Sequence, residues 1–129
     1  MKTILALVLA VFCGTGFMCN AADAKPNEKP YSEVIKEIQD GKAVIVDVRE
    51  KSEWDNGHVK AATLIPSGSI KDGSADLASL PKDKTVYTYC GSGKRAQASA
   101  NVLKGKGYQA VPLKDGFSGL SQNGFDTAK

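Results

Sequence analysis

Cys90-Gly91-Ser92-Gly93-Lys94-Arg95 places a nucleophile, a glycine-rich turn and two cations within six consecutive residues. The preceding run, Thr85 to Tyr89, is β-branched and aromatic and reads as a buried strand. The following stretch is rich in Ala, Gln, Lys and Leu and favours helix. Cys90 is therefore expected at the carboxyl end of a strand and beside the amino end of a helix, where open α/β sheets bind their ligands. The first N–H groups of that helix have no backbone partner, and the helix dipole favours negative charge there. Together with Lys94 and Arg95 this field favours the thiolate, the reactive form of the side chain. The stretch reads as a cradle for a reactive sulfur, open to solvent, and for an anion beside it.

A second polar segment, "DVREKSEWDNGHVKAATLIP", follows the apolar run Ala43 to Val48. Asp47, Arg49, Glu50, Glu53 and Asp55 mix both signs at a strand end, which suits a hydrogen-bonded ion network better than an acid/base pair. His58, the single histidine, is expected to orient the Asn56-Gly57 turn by hydrogen bonds. No second histidine or close carboxylate cluster supplies metal-ligand spacing, so neither a metal nor another cofactor is expected.

The elements that must position these residues alternate between strand and helix. Tyr31 opens a helix that Ser32 can cap and Gly41 can end, with Val34, Ile35 and Ile38 on its apolar face. Ala43 to Val48 is a strand buried on both faces. Ser52 can cap a helical turn through Trp54, and Ala62 to Ile65 is a short strand stopped by Pro66. Ser67 to Pro81 reads as a loop with one short helix near Ala75 to Ser79. After the helix that follows Cys90, Gly105 and Gly107 provide a stop, Tyr108 to Leu113 is a last strand, and a weakly amphipathic tail holds Phe117, Leu120 and Phe125. Such alternation predicts an α/β fold, a mainly parallel central sheet flanked by helices.

The chain has 129 residues, 42% hydrophobic and 24% charged, the composition of one globular domain. A net charge of +3 is too small to imply a nucleic-acid partner, the lysines are dispersed rather than clustered, and none is expected. Residues 1–24 read as a secretory signal: Lys2, the apolar run Ile4 to Phe12, and Ala22-Asp23-Ala24 as cleavage site. The run is too short to span a bilayer. Cleavage after Ala24 is expected to release a periplasmic monomer without stable membrane association. It removes Cys13 and Cys19, so Cys90 becomes the only thiol, which in an exported protein asks for a role. Residues 25–30 read as a linker, and residues 31–129 as the domain.

With both motifs in view, the chain resembles the single-domain rhodanese family of sulfurtransferases over roughly Tyr31 to Gly119. Asp47, Val48, Arg49, Glu53, Trp54, Gly57, His58 and Val59 match the family's first motif, and Cys90, Gly93, Arg95 and Ala96 match its cysteine loop. Ala61 departs from a frequent glycine. In the family's late motif Asp115 replaces a glycine and Leu120 a tryptophan, which concerns the packing of the last helix. The resemblance implies a rhodanese-like fold and a thiosulfate sulfurtransferase. Its catalytic residue would be Cys90, which takes the outer sulfur of thiosulfate or a similar donor as a persulfide and yields it to cyanide or a thiol. Gly91, Ser92, Gly93, Lys94 and Arg95 would bind the substrate: the loop N–H groups hold the persulfide, and the two cations neutralise sulfonate and sulfite. Arg95 could instead brace the loop against an acidic residue.

Two other readings compete. One is a non-catalytic rhodanese-like module that carries sulfur or binds a partner. The other is a cysteine phosphatase or arsenate reductase, whose loop has one more residue between cysteine and arginine. The shorter loop tightens the ring of N–H groups against a tetrahedral phosphate.

Overall fold

The computed structural model describes residues 23–129. The apolar run read as an export signal lies outside them. Among the described residues no helix is long and apolar enough to cross a membrane.

The elements in chain order are α1 (Tyr31–Gln39), β1 (Ala43–Asp47), α2 (Lys51–Asp55), β2 (His58–Val59), β3 (Thr63–Leu64), α3 (Ser67–Asp72), β4 (Thr85–Tyr89), α4 (Lys94–Gly105), β5 (Gln109–Pro112), α5 (Phe117–Gln122) and β6 (Thr127–Ala128). Four strands form a parallel sheet in the order β3-β1-β4-β5. The register runs from Ala43 opposite Thr85 to Asp47 opposite Tyr89, so β1 and β4 end side by side. That alignment brings the first polar motif against the cysteine loop.

Each face of the sheet carries its own core. Val46, Val48, Val86 and Cys90 pack with Ile70 of α3 and Ala100 and Leu103 of α4. On the other face Ile45, Tyr87 and Tyr89 pack with Val34 of α1 and Leu120 of α5. Leu120 is fully buried, so leucine fills the interior under α5 despite its departure from the aromatic motif.

Several local expectations are corrected. Pro30, not Ser32, caps α1, since the helix already begins at Tyr31 and proline supplies the extended approach. At α2 the cap is Glu50, paired with Glu53 in a reciprocal capping box, so Ser52 lies inside the helix. The helix expected near Ala75 to Ser79 forms instead at Ser67–Asp72. Pro66 starts it, Ser69 Oγ donates to the Pro66 carbonyl, and Ile70 drives into the core. Around residue 76 the Asp76 side chain accepts from the Ala78 N–H, a local turn that competes with helix. β6 was not expected; it pairs antiparallel with β2, His58 opposite Ala128. Residues 25–30 contain no helix or strand, and hydrogen bonds from Asn27 within them and from Ala24 before them reach the domain. Ala24 is buried and donates its N–H to Asn101 Oδ1 at 2.8 Å, while Asn27 N–H donates to the Pro112 carbonyl at 2.9 Å. These are backbone contacts, which hydropathy does not register.

Candidate active site

β4 ends at Tyr89, α4 begins at Lys94, and Cys90 lies between them, as the strand–turn–helix pattern requires. The backbone folds over the sulfur. Gly93 N–H points at Sγ from 3.0 Å and Ala96 N–H from 3.4 Å. Two amide dipoles converging on one atom stabilise negative charge there. Gly93 is the N-cap of α4 with φ +93°, and a Cβ on it would lie 3.0 Å from the Lys114 carbonyl oxygen. Conformation and space both demand glycine.

The loop is also held from below. Phe117 N–H donates to the Cys90 carbonyl at 2.9 Å. Gly116 lies so close to the Gly91 carbonyl that any Cβ at 116 would collide with it. The tight curl thus depends on Gly93 and Gly116; Gly91 has ordinary φ. One expectation is reversed: Cys90 is not open to solvent but 0% exposed. The amide wrap and the contacts with the α3–α4 core enclose it, and Gly91 and Ser92 take the outward positions.

The residues expected to bind substrate separate into two groups. Ser92, Gly93 and the exposed Lys94 line a recess of about 280 Å³ together with Pro26 and Lys114. Arg95 turns the other way and makes two parallel hydrogen bonds to Glu53, 2.7 Å from Nη1 to Oε1 and 3.0 Å from Nη2 to Oε2. Of the two roles open to it, bracing is the one observed. The Arg95 hydrogen bonds hold the Glu53 carboxyl well below its ordinary range, at about 2. Glu53 Oε1 also accepts from the Glu50 N–H at the start of α2, so one carboxylate ties α2 to α4.

The mixed charges at the end of β1 resolve into separate pairs. Arg49 Nη2 meets Asp47 Oδ2 at 2.8 Å with both side chains buried, and it donates to the Gly57 carbonyl at 2.6 Å. Lys51 pairs with Asp55 at the surface. His58 takes the orienting role: its Nδ1 lies 3.0 Å from the Trp54 carbonyl, and its ring stacks on Trp54 with centroids 3.5 Å apart.

Tyr89 was legible only as a strand residue. Its hydroxyl donates to Asp47 Oδ2 at 2.7 Å and accepts from the Val59 N–H at 2.9 Å. Burial, reinforced by Asp47, pushes the phenol above its ordinary range. The amide of Ala96 was likewise missed as a contact to the sulfur, because a backbone donor leaves no residue-type signal.

A parallel sheet ending in a cysteine wrapped by helix-start amides, with an Asp47–Arg49 pair beneath, defines a rhodanese-type site. The family model for the rhodanese-like domain matches residues 30–123, and the chain belongs to that family. It is 38% identical over 112 residues to the probable adenylyltransferase/sulfurtransferase MoeZ of Mycobacterium tuberculosis, an alignment covering 82% of this chain and 27% of that protein. It is 29% identical to YibN of Escherichia coli, over 89% of this chain and 79% of that one. Among solved structures, the reduced CoADR-RHD of Bacillus anthracis matches with TM-score 0.63 and 28% identity, over 76% of this chain and 16% of that chain. A rhodanese-related protein of Thermoplasma volcanium shares the fold, with TM-score 0.64 at 22% identity over 75% of this chain and 92% of its own.

Proposed function

We propose that the protein is a sulfurtransferase that carries sulfane sulfur as a persulfide on Cys90. The observation that supports this most is the pair of N–H groups aimed at Sγ, from Gly93 and Ala96. They stabilise the attacking thiolate, and the amino end of α4 beside it favours the negative charge that a persulfide carries on its outer sulfur. In the first half-reaction the Cys90 thiolate attacks the outer sulfur of thiosulfate or a similar donor. The donor's S–S bond breaks, its electron pair leaves on sulfite, and Cys90 holds the new S–S bond. In the second half-reaction cyanide or a thiolate attacks the terminal sulfur, and the Cys90 thiolate returns. No external oxidant or reductant is needed.

The recess with Lys94 and Lys114 is the donor side in this reading, since two cations there can hold a sulfonate. Arg95 acts as a brace and keeps α4 aligned under the amide wrap. Its pairing with Glu53 leaves no guanidinium inside the loop for a phosphate, which weighs against a phosphatase. A sulfur-carrier role draws support from the complete burial of Cys90 and from similarity to the putative sulfur carrier protein YrkF of Bacillus subtilis, 30% identical over 52% of this chain and 35% of that one.

Mass spectrometry after thiosulfate treatment tests the intermediate: the chain gains one sulfur atom, and Cys90→Ala gains none. Steady thiocyanate formation with cyanide then identifies an enzyme. Loading without turnover identifies a carrier, and no loading refutes the persulfide.

A further inference from the structure

The segment that leads into α1 is tied to α4 and β5 through its backbone. Ala24 is 2% exposed and packs in the core that holds Ala100 and Leu103 of α4. Its N–H donates to Asn101 Oδ1 at 2.8 Å, and its carbonyl accepts from Gln97 Nε2 at 2.7 Å. Gln97 Nε2 also donates to Asn101 Oδ1 at 2.9 Å, so two side chains one turn apart on α4 form a single clamp. Further along, Asn27 is buried, its N–H donates to the Pro112 carbonyl, and its Oδ1 accepts from the Lys29 N–H at 3.1 Å. Between these two anchors Pro26 lines the recess beside Lys94.

This clamp bears on where an export peptidase can cut. A cut after Ala24 removes the clamped residue, leaves Asn101 and Gln97 without their backbone partner and makes Pro26 the second residue from a charged free end. A cut after Asp23 keeps Ala24 but turns its amide into an α-amino group, charged below about pH 8. A buried ammonium needs an opposite charge, and its partner here is a neutral amide oxygen. The clamp therefore needs a peptide bond on both sides of Ala24. Export cleavage sites carry small residues in an A-x-A-like spacing. Ala22 and Ala24 meet that rule, and so do Cys19 and Ala21, which lie outside the described residues.

We propose that the chain is processed after Ala21, so that the mature protein begins Ala22-Asp23-Ala24 and keeps Ala24 as the anchor of the segment that carries Pro26 to the recess. The cleavage site rests on the export reading of the apolar run Ile4 to Phe12. It replaces the cut expected after Ala24, and it still removes Cys13 and Cys19, so Cys90 stays the only thiol.

Two measurements separate failure of the cleavage site from failure of export. The first is the intact mass of the chain recovered from the periplasm of a Gram-negative host that expresses all 129 residues. A chain beginning at Ala22 is expected. A chain beginning at Ala24 or Lys25 overturns the inference with export intact, and an uncleaved chain confined to the cytoplasm withdraws export and cut together. The second is thermal unfolding of chains beginning at Ala22 and at Lys25, each with and without Asn101→Ala. The Lys25 chain should melt about 5 °C or more below the Ala22 chain, the fall that one net hydrogen bond gives in a domain of this size. Asn101→Ala should lower Tm at least twice as far in the Ala22 chain as in the Lys25 chain, because only the first has the Ala24 amide to lose. Equal Tm values for the two chains, or equal losses on substitution, overturn the anchor whatever the mass shows.

Discussion

Tyr89→Phe is the most informative single change outside the loop. The ring stays, so packing under the sheet is preserved and only one oxygen is lost. That oxygen serves two buried partners, Asp47 Oδ2 at 2.7 Å and the Val59 N–H at 2.9 Å. Val59 is 2% exposed and Asp47 is 0% exposed, so water has little access to either. Leaving a buried N–H unpaired costs about 1–3 kcal/mol, and a hydrogen bond to a charged group contributes about 1.5–3 kcal/mol. Asp47 keeps its contacts with Arg49, which lowers the second figure, and a combined loss of ~3 kcal/mol is expected. In a domain of this size each kcal/mol shifts Tm by about 4–8 °C, so Tm should fall by more than about 10 °C. Urea titration near neutral pH should give a lower midpoint at an unchanged m-value. A loss under about 1 kcal/mol would mean that Arg49 alone satisfies Asp47 and that Tyr89 is ordinary strand filling.

Three further outcomes are expected. Glu53, held at about 2 against 4.5 when free, contributes stability that is present above pH 4.5 and lost as pH falls toward 2. Both partners of the pair are about a third exposed, so the loss is limited to about 1 kcal/mol, seen as a steeper acid unfolding curve than that of Glu53→Gln. Lys94→Ala should raise KM for thiosulfate about two- to fivefold at low salt, consistent with one exposed charge, and the difference should vanish in concentrated salt; equal KM values at low salt would remove Lys94 from the donor site. Gly116→Ala should lose about 1–3 kcal/mol or more by overpacking and accelerate alkylation of Cys90 as the loop is pushed open, which thermal unfolding and iodoacetamide kinetics measure.

Much of this architecture was legible because hydrophobic patterning and turn residues carry it. Thr85 to Tyr89 was read with the bounds observed, since a β-branched and aromatic run closed by a glycine-rich turn has few alternatives. The placement of Cys90 beside a helix start followed from the same pattern. What escaped the sequence was set by contacts between distant segments. Arg95 could face substrate or a carboxylate, and only the register of β1 on β4 brings Glu53 within its reach. The depth of Cys90 depends on how α3 and α4 close over the sheet, and the misplaced α3 hid that closure. Ala24 and Asn27 dock through backbone groups, which composition does not distinguish from a free linker.

The contact between Gly116 and the Gly91 carbonyl bears on how such a chain can diverge. On α5 Leu120 is fully buried in the core shared with Tyr89 and Leu113. At 116 every other residue type displaces the nucleophile's own turn. Inactivating lesions are therefore expected at Gly116, a half-buried glycine outside the Lys94 recess, as well as in the cysteine loop itself.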